Sequence, residues 1–550
     1  MTRKAALLYD RTRVWRAGVW PAPFGERDGG PDMLARLRSL TLLGIEAIPL
    51  TVECDISGGL PGIHTVGLPD AAVRESADRV RSALRNSGFE LPARRITISL
   101  APADLRKQGS ALDLPIALGI LAASGRLPSG RLDGLMIAGE LGLDGAVRPM
   151  RGALPGAILA RRLGIPGMIL PADNAREAAA LAGPAVHGVT TLLGAAQVLQ
   201  GAGSPIRPGA DAEAEGPGDG PDLSDVRGQS HARRALEVAA AGGHHLLFVG
   251  PPGCGKTMLA RRLPGILPPL APNEAIEVTC VHSAAGLLRG AALVRRRPFR
   301  APHHTISGMG LVGGGRGPRP GEVTLAHRGV LFLDEIPEFG RATLDVLRQP
   351  LEEGEVLITR ENRTLRMPAR VTLVAAMNPC VCGNLGRSDR PCGCTPAMIA
   401  HYRQRVSGPL LDRFDLQVSV PPVAARELGG APAGEPSAAV APRVAAARAI
   451  QSARFSGSGP GTNAAMGGAL IRRHAVPGPD GRRILDLALR RLGLSARAHD
   501  GILRVARTIA DLAGSDSIRV EHVAEAVQYR AFDRGPGGEE VRPGASNRDP

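Results

Sequence analysis

The segment HHLLFVGPPGCGKTMLARRL, residues 244–263, constrains the fold more than any other part of the chain. Four apolar residues, LLFV, run into GPPGCGKT and then into a stretch with helical spacing. This is the strand–loop–helix context of a phosphate-binding loop, in which glycines let backbone N–H groups point at phosphate oxygens. The sequence therefore predicts an α/β fold that binds ATP. The expected ATP-binding residues are Gly250, Pro251, Pro252, Gly253, Cys254, Gly255, Lys256 and Thr257.

Lys256 and Thr257 are the loop side chains with the most specific expected roles. Lys256 should reach the β- and γ-phosphates, and the Thr257 hydroxyl should bind Mg²⁺. The alternative is a glycine-rich turn that contains a chance lysine. That alternative is weak, because the chain has only three lysines and one of them occupies the required position.

Two further strand-like runs end in polar side chains suited to the same chemistry. GVLFLDEIPEF, residues 329–339, brings an apolar strand to Asp334 and Glu335. We expect Asp334 to join Thr257 around Mg²⁺ and Glu335 to polarise the attacking water. RVTLVAAMN ends at Asn378, whose amide can orient that water and sense the γ-phosphate. For Asp334 and Glu335, the alternative is a buried strand that ends at a solvated acidic turn. For Asn378, the alternative is an asparagine that only forms part of a turn.

Two arginines are candidates for stabilising the charge that develops during phosphoryl transfer. Arg413 lies between acidic residues in SGPLLDRFDL, and it is a candidate arginine finger for the ATP of a neighbouring subunit. An internal salt bridge is the alternative for this residue. Arg497 stands at a predicted helix start in LSARAHDGILRVARTIADLAG. It is a candidate second sensor, with a solvated helix face as the alternative.

Four of the seven cysteines lie within NPCVCGNLGRSDRPCGCTP, residues 378–396, as two Cys-x-Cys pairs. Four thiolates can close a tetrahedral Zn²⁺ site, and such a closed shell would be structural because it leaves no open position for chemistry. Cys-x-Cys is tighter than the usual Cys-x₂-Cys, so reduced, unligated cysteines are the alternative. The candidate zinc ligands are Cys380, Cys382, Cys392 and Cys394.

The formal net charge of +15 comes mainly from arginine and favours a polyanionic partner such as DNA. The bias of a GC-rich genome is the alternative explanation of the arginine excess. SGMGLVGGGRGPRPGE is expected to be a pore loop or a flexible surface loop. GEVLITRENRTLRMPARV predicts a β-hairpin, either exposed or projecting into a central pore. The candidate DNA-contacting residues in these two segments are Arg316, Arg319, Arg360, Arg363 and Arg366.

A chain of 550 residues is too long for one core, so we expect several domains. No apolar run is long enough to span a membrane and no secretory signal is visible, so we expect a cytoplasmic protein. The expected segments are a disordered extension (1–32), an α+β domain (33–202), a linker (203–222), a second α/β domain (223–422), a loop (423–442), a helical block (443–530) and a disordered tail (531–550).

The motifs GPPGCGKT, VLFLDE, AAMN, LLDRFDL and LSARA, in this order, resemble those of AAA+ ATPases of the magnesium-chelatase type. DLSDVRGQ, FRAPHHTIS, PRPGEVTLAHRGVLFLDE and VARTIADL resemble characteristic segments of the YifB/ComM-like subfamily. A segment near the N-terminus also resembles this subfamily: IEAIPLTVECDISGGLPGIHTVGLPDAAVRES. The likeness covers residues 33–530. It implies an AAA+ P-loop domain with a helical lid.

The N-terminal domain resembles the Lon-protease fold, which is of the ribosomal S5 domain 2-like type. The likeness rests on LPDAAVRESADRVRSAL, ITISLAPADLRKQGSALDLPIAL and IAGELGLDGAVRPMRGALPGA. Ser110 lies where that family carries its nucleophile, and the family's lysine position falls at or beside Leu154. The nearest lysine, Lys107, is in the wrong segment, so a Ser–Lys dyad cannot be assembled and we expect a non-catalytic domain.

The family resemblance implies an ATP-driven ring motor, expected to be a hexamer, that acts on DNA. Its expected role is branch migration or strand unwinding during recombination of incoming DNA in natural transformation. One alternative is a magnesium-chelatase-like motor subunit. The other is a regulatory or chaperone-like ATPase whose N-terminal domain binds proteins. The AAA+ motifs are common to all three, so they do not separate them.

Overall fold

The computed structural model describes residues 33–530, except positions 69, 104, 106, 108, 207–219, 289, 316, 361–362, 388, 423–433 and 456–458. The predictions for residues 1–32, residues 531–550 and Arg316 lie outside the described residues, as do those for the side chains of Arg360 and Arg363. Within the described part of the chain, no helix is both long and apolar enough to cross a bilayer.

The first domain is built on a mixed seven-stranded sheet. The segment EAIPLTVECDIS forms a strand in which alternate residues are buried from Leu50 onward, as a strand with one face on a core requires. The strands are β1 (Leu34–Leu43), β2 (Glu46–Ser57), β3 (Gly62–Val66), β4 (Arg95–Ala101), β5 (Leu135–Ile137), β6 (Glu140–Leu141), β7 (Val147–Arg148), β8 (Gly167–Pro171) and β9 (Ala185–Val189). The sheet order is β3-β4-β2-β1-β5-β8-β9, and β6 pairs with β7 apart from it.

Both ladders of β2, with β1 and with β4, are antiparallel, whereas the other neighbours in this sheet run parallel. The helices are α1 (Ala71–Asn86), α2 (Asp113–Ala123), α3 (Ala153–Arg162), α4 (Ala172–Ala179) and α5 (Leu192–Leu199). Every residue of α2 is buried, which explains why its sequence, DLPIALGILAA, is apolar on all sides. The mixed α/β architecture agrees with the expected fold class, and likeness to the Lon-protease fold stays a prediction.

The second domain contains a five-stranded parallel sheet in the order β11-β14-β17-β10-β18. Its strands are short apolar runs because helices cover both faces of a parallel sheet. The strands of this domain are β10 (Leu246–Val249), β11 (Phe299–Arg300), β12 (Gly313–Gly314), β13 (Arg319–Pro320), β14 (Val330–Leu333), β15 (Glu355–Arg360), β16 (Arg363–Pro368), β17 (Thr372–Met377) and β18 (Leu416–Ser419). The pairs β12–β13 and β15–β16 stand outside the main sheet as antiparallel ribbons.

Nine described helices accompany this sheet, and residues of several of them form the apolar clusters on its two faces. They are α6 (Ser230–Gly242), α7 (Lys256–Ile266), α8 (Pro272–Ala285), α9 (Gly308–Val312), α10 (Glu322–Leu325), α11 (Arg341–Asp345), α12 (Arg348–Glu353), α13 (Pro396–Arg403) and α14 (Gly408–Leu411). The polar residues predicted at the ends of β10, β14 and β17 therefore meet at one edge of the sheet, where open α/β sheets bind ligands.

The C-terminal block is entirely helical among its described residues. Its first helix begins at Ser437, six residues before the boundary at 443 that the sequence suggested, because Pro442 lies inside the helix and resembled part of a loop. The helices are α15 (Ser437–Arg454), α16 (Gly468–His474), α17 (Pro479–Leu492), α18 (Ala496–Leu512) and α19 (Val520–Gln528). Asp222, at the end of the predicted linker, accepts a hydrogen bond from the Ser437 backbone N–H at 3.1 Å.

The first domain contacts the second through helices α3 and α8. The Gly152 N–H, just before α3, donates to the Ser283 carbonyl of α8 at 3.1 Å. A small apolar cluster joins the two domains next to this contact. Its buried members are Ile45, Val281, Ala284 and Leu325.

Candidate nucleotide-binding site

The loop between β10 and α7 has the geometry of a phosphate-binding loop. Gly250 is packed so closely that an added Cβ would lie 2.2 Å from the Val420 carbonyl oxygen. Gly255, which caps the N-terminus of α7, has a φ of +93°, a backbone conformation that favours glycine. The apolar strand therefore leads into a tight turn whose N–H groups and helix N-terminus form an anion site.

Lys256 lies in the centre of this loop with its ammonium group held by oxygen atoms. Its Nζ donates to the carbonyls of Gly250 at 2.6 Å and Pro251 at 2.9 Å. It also donates to Oδ1 of Asn378 at 3.1 Å. Burial lowers the pKa of Lys256 below its usual value, and the neighbouring Cys254 and Asp334 oppose that shift. The structure therefore brings together two predicted site residues that are 122 positions apart.

The two predicted Mg²⁺ ligands are in direct contact. The Thr257 hydroxyl donates to Oδ2 of Asp334 at 2.6 Å, joining the first turn of α7 to the end of β14. A hydroxyl and a carboxylate supply the hard oxygen ligands that Mg²⁺ prefers, and phosphates and water complete such sites. The residues present thus fit the metal that an ATPase of this kind uses.

Glu335 follows Asp334 in a left-handed backbone conformation with a φ of +51°. Its backbone N–H donates to Oδ1 of Asp334 at 3.0 Å, and its side chain is exposed. The carboxylate is thus exposed directly after Asp334, one of the two predicted Mg²⁺ ligands. An exposed carboxylate at this position can accept a proton from, or polarise, a water next to a bound triphosphate.

Arg413 and Arg497 are brought together, but away from Lys256. Arg413 precedes β18, whereas the phosphate loop follows β10, and these strands run parallel with Leu246 paired to Leu416. The arginine therefore lies at the opposite edge of the sheet from the phosphate loop of its own chain. Four strand residues of about 3.3 Å each already separate the two edges by about 13 Å.

A single carboxylate, Glu352 at the end of α12, pairs with both of these arginines. Arg413 forms a close ion pair with Glu352 Oε1, and Arg497 Nη2 donates to the same oxygen at 2.9 Å. The hydrogen bond from Arg413, followed by that from Arg497, lowers the pKa of Glu352. Sequence reasoning missed Glu352, because its partners are distant in the chain and no motif marks it.

A buried polar network at the same edge of the sheet was also missed. His244 Nδ1 lies 2.8 Å from Oδ2 of Asp415, and its Nε2 lies 2.8 Å from the Thr508 hydroxyl of α18. His244 is fully buried. The network fastens the helical block to the sheet. The only sequence signal was the pair of histidines that precedes β10, which is unusually polar for the start of a buried strand.

The four clustered cysteines converge on one point beside the phosphate loop. Their Sγ atoms all lie within 4.8 Å of one another, and all four are free thiols. The measured separations are 3.4 Å for Cys380–Cys382 and 3.6 Å for both Cys380–Cys392 and Cys382–Cys392. The set of donor atoms therefore matches a tetrahedral thiolate site.

The predicted hairpin is confirmed as the ribbon β15–β16, with Arg360 paired in register with Arg363. Arg366 is 60% exposed, and its Nη1 lies 2.8 Å from Oε1 of Glu355 on the opposite strand. An exposed pair of this kind contributes little to stability and can be exchanged for a phosphate contact. Arg319, in the ribbon β12–β13, is exposed.

The first domain holds no Ser–Lys dyad among its described residues. The Ser110 hydroxyl donates to Oε2 of Glu140, whereas Lys107 is fully buried and donates to the Pro102 carbonyl. Leu154, at the position where a catalytic lysine would be expected, is fully buried as well. Ser110 therefore has no lysine partner among the described residues, and the absence of protease activity stays a prediction.

Three family models match this chain. "Magnesium chelatase, subunit ChlI" matches residues 222–428, "Subunit ChlI of Mg-chelatase" matches residues 52–174, and "Magnesium chelatase, subunit ChlI C-terminal" matches residues 434–530. The matched segments cover both domains and the helical block, so the likeness is not confined to the nucleotide site.

Two relatives match over nearly their whole length. Protein YifB of Salmonella typhimurium is 46% identical over 503 residues, which are 91% of this chain and 98% of that protein. Competence protein ComM of Haemophilus influenzae is 46% identical over 507 residues, again 91% and 98%. The magnesium-chelatase 38 kDa subunit of Acidiphilium rubrum is 28% identical over 179 residues, 28% of this chain and 51% of that protein. This chain therefore belongs to the YifB/ComM-like family of magnesium-chelatase-type AAA+ ATPases.

Proposed function

We propose that this protein is an ATP-driven ring motor that moves DNA branches or separates DNA strands during recombination of incoming DNA. The observation that carries the motor assignment is the cluster of Lys256, Thr257, Asp334 and Asn378 at the carboxyl edge of the sheet. Family membership supports ATP hydrolysis in general. The name of the relative from Haemophilus influenzae, competence protein ComM, supports the proposed action on incoming DNA.

The site residues suggest how hydrolysis proceeds. Phosphate oxygens would replace the loop carbonyls and Asn378 as partners of Lys256 Nζ, whose positive charge then faces the charge that builds up on the γ-phosphate. Thr257 and Asp334 would hold Mg²⁺, which supplies charge neutralisation of the phosphates when bound. Glu335 would polarise the attacking water, and the Asn378 amide would orient it.

We infer a ring, expected to be a hexamer, from where the arginines lie. Arg413 and Arg497 are at the far edge of the sheet from their own phosphate loop, so they are better placed to serve the ATP of a neighbouring subunit. Glu352 presents the two guanidinium groups side by side. An active site divided between subunits makes hydrolysis depend on assembly, and cyclic assembly closes such head-to-tail contacts.

The proposed DNA path follows the hairpin β15–β16 and the ribbon β12–β13. Both stand apart from the main sheet, and they carry Arg319, Arg360, Arg363 and Arg366. Such ribbons can reach the centre of a ring while the sheet stays rigid. Together with the net charge of +15, they support binding to phosphate backbones rather than to particular bases.

The test is ATP-dependent separation of forked DNA and of four-way junctions by the purified full-length chain. Branch migration should require ATP and Mg²⁺ and should be lost in Glu335→Gln, which keeps the size of the side chain but removes its charge. ATP hydrolysis that branched DNA fails to stimulate, together with no DNA affinity at physiological salt, would favour the regulatory or chaperone-like ATPase.

The magnesium-chelatase alternative is tested by a further measurement of ATP hydrolysis in the same experiment. Stimulation of hydrolysis by a porphyrin with chelatase partner subunits, and not by branched DNA, would favour it. This alternative has less support than the DNA motor, because the similarity to the chelatase subunit from Acidiphilium rubrum spans only 28% of this chain.

A further inference from the structure

The strongest feature outside the nucleotide chemistry is the cluster of four cysteines in the loop that follows β17. Two of the cysteines, Cys380 and Cys382, come directly after Asn378, and the other two, Cys392 and Cys394, come just before α13. The chain thus leaves the sheet, returns to the same point and closes the loop on itself. Nothing in the ATPase chemistry requires such a closure.

The distances between the sulfur atoms fit one tetrahedral zinc ion. A Zn–S distance of about 2.3 Å in a tetrahedral site places the sulfurs roughly 3.8 Å apart. The observed Sγ–Sγ distances of 3.4, 3.6 and 3.6 Å lie close to that value. Four thiolates complete the shell, so no fifth ligand is needed.

Backbone N–H groups around the cluster are arranged as they are around metal-bound thiolates. The Leu385 N–H points at Cys380 Sγ, and the Cys394 N–H points at Cys392 Sγ, both at 3.4 Å. Such contacts orient the ligands and disperse the negative charge of bound sulfur. Cys382 is exposed, which gives a metal ion a route into the site, whereas Cys380 is buried.

The same loop lies against the phosphate loop. Gly383 has a φ of +76°, and a Cβ added to it would lie 2.6 Å from Cδ of Pro252. The loop therefore leaves no space between its backbone and the phosphate loop. Asn378, two residues before Cys380, is the residue that accepts the hydrogen bond from Lys256. Closing the cysteine loop fixes both contacts at once.

We propose that Cys380, Cys382, Cys392 and Cys394 bind one structural Zn²⁺ ion that holds Asn378 and Gly383 in place against the phosphate loop. Zinc loading then controls how tightly the site binds nucleotide. The coupling to nucleotide rests on the proposed ATPase function, whereas the zinc site itself does not.

The first test is the zinc content of the full-length, untagged chain purified without chelator. We expect about one zinc per chain, as for a closed four-cysteine site. The double variant Cys392→Ser/Cys394→Ser should lose it, and the control Cys280→Ala, which removes a buried thiol in α8, should retain it. A wild-type chain without zinc, or zinc retained by the double variant, would overturn the proposal.

A second measurement covers the case in which the double variant does not fold. Replacing zinc by Co²⁺ in the wild-type chain should give the strong thiolate charge-transfer and tetrahedral d–d absorption of a four-sulfur site. A weak octahedral spectrum would rule out these ligands.

The coupling is tested by the affinity for a fluorescent ATP analogue. The zinc-free variant should bind it about threefold to tenfold more weakly than Cys280→Ala, the range that one lost hydrogen bond would produce. Loss of zinc with unchanged affinity would refute the coupling. A wild-type chain that holds zinc but binds no nucleotide would instead count against the proposed ATPase function and leave the zinc site standing.

Discussion

Glu335 combines a left-handed backbone with an exposed side chain beside the predicted Mg²⁺ ligands. A φ of +51° in a residue other than glycine is uncommon, and such conformations concentrate at functional sites, where the surrounding structure holds them in place. The strand β14 fixes Asp334, and the Asp334 carboxylate holds the Glu335 backbone N–H at 3.0 Å. The chain thereby turns at Glu335 as it leaves the strand, directly after Asp334.

Glu335→Gln should abolish hydrolysis while leaving ATP binding intact. The amide keeps the shape of the carboxylate but cannot polarise water, and the loss of such a group costs about 10²–10⁴-fold in rate. The measurement is phosphate release at saturating ATP, with nucleotide affinity measured on the same samples. Glu338→Gln is the matched control, since Glu338 lies three residues away and pairs only with Arg405 in the described contacts. Hydrolysis within a few-fold of wild type in Glu335→Gln would exclude this role.

Residues whose roles follow from one strand and its end could be predicted from sequence. Asp334 and Asn378 come directly after apolar strands, and Lys256 follows β10 through the phosphate loop. Parallel strands bring their carboxyl ends to one edge of the sheet. Glu352 could not be predicted in this way. It lies 145 residues from Arg497, and their contact depends on how the helical block packs against the sheet.

At the scale of elements, the ribbon β15–β16 is the candidate for contact with DNA. Each phosphate contact that is lost should reduce the slope of log affinity against log salt by roughly 0.7 to 0.9. Arg366→Ala should therefore flatten the slope by about that amount. The control Arg483→Ala also removes one positive charge, from the exposed face of α17, and it should leave the slope unchanged. Equal slopes for Arg366→Ala and wild type would mean that this strand does not touch the phosphates.

The junction between the two domains contains a carboxylate whose pKa burial raises to about 7. This residue, Glu177 in α4, is 2% exposed and accepts a hydrogen bond from Asn174 at 2.7 Å. The folded state therefore binds its proton more tightly than the unfolded state does. The stability that this proton provides is fully present below pH 4.5 and is lost as pH rises through 7.

Glu177→Gln should raise the thermal midpoint at pH 8 and leave it nearly unchanged at pH 4.5. The neutral amide avoids the penalty of burying a charge, which amounts to about 3 kcal/mol for a shift of this size. The check is a thermal melt at both pH values, with the exposed Glu90→Gln as the control. A variant that is less stable than wild type at pH 8 would show that the buried carboxylate is stabilised in its charged form.

Element boundaries were less predictable than element types. The first domain contains both strands and helices, such as β2 and α1, as its predicted α+β class requires. The start of α15 was missed because Pro442, inside a helix that begins at Ser437, resembled a helix breaker. Pro442 is the sixth residue of this helix, beyond the first four whose N–H groups have no partner within a helix, so α15 continues with one backbone hydrogen bond missing.

At the scale of the whole molecule, the proposed ring would complete an ATP site that each subunit holds only in part. The phosphate loop and Glu335 lie at one edge of the sheet, and Arg413 and Arg497 lie at the other, fastened to Glu352. On this proposal, a subunit carries its own ATP ligands but lacks the positive charge that stabilises the transition state. In the proposed ring, head-to-tail contact between copies would bring the two edges together.

Mixing two inactive variants tests this arrangement directly. Lys256→Ala removes phosphate binding, and Arg413→Ala removes the finger. In a mixed ring, the intact phosphate loop of an Arg413→Ala subunit can face the intact finger of a Lys256→Ala subunit. Random assembly from equal amounts makes roughly a quarter of the interfaces complete, so hydrolysis should return to a measurable fraction of wild type.

The mixture of Lys256→Ala and Arg413→Ala should recover because the two substitutions affect opposite sides of the subunit interface. Each subunit then supplies the side chain that its neighbour lacks. Arg413→Ala mixed with Glu335→Gln should also recover activity, because the Glu335→Gln subunit contributes a normal arginine. Mixing Lys256→Ala with Glu335→Gln should recover nothing, since both defects lie on the same side. Phosphate release by the three mixtures, measured after the subunits have exchanged, separates the arrangements. If Arg413 served the ATP of its own chain, none of the mixtures would recover.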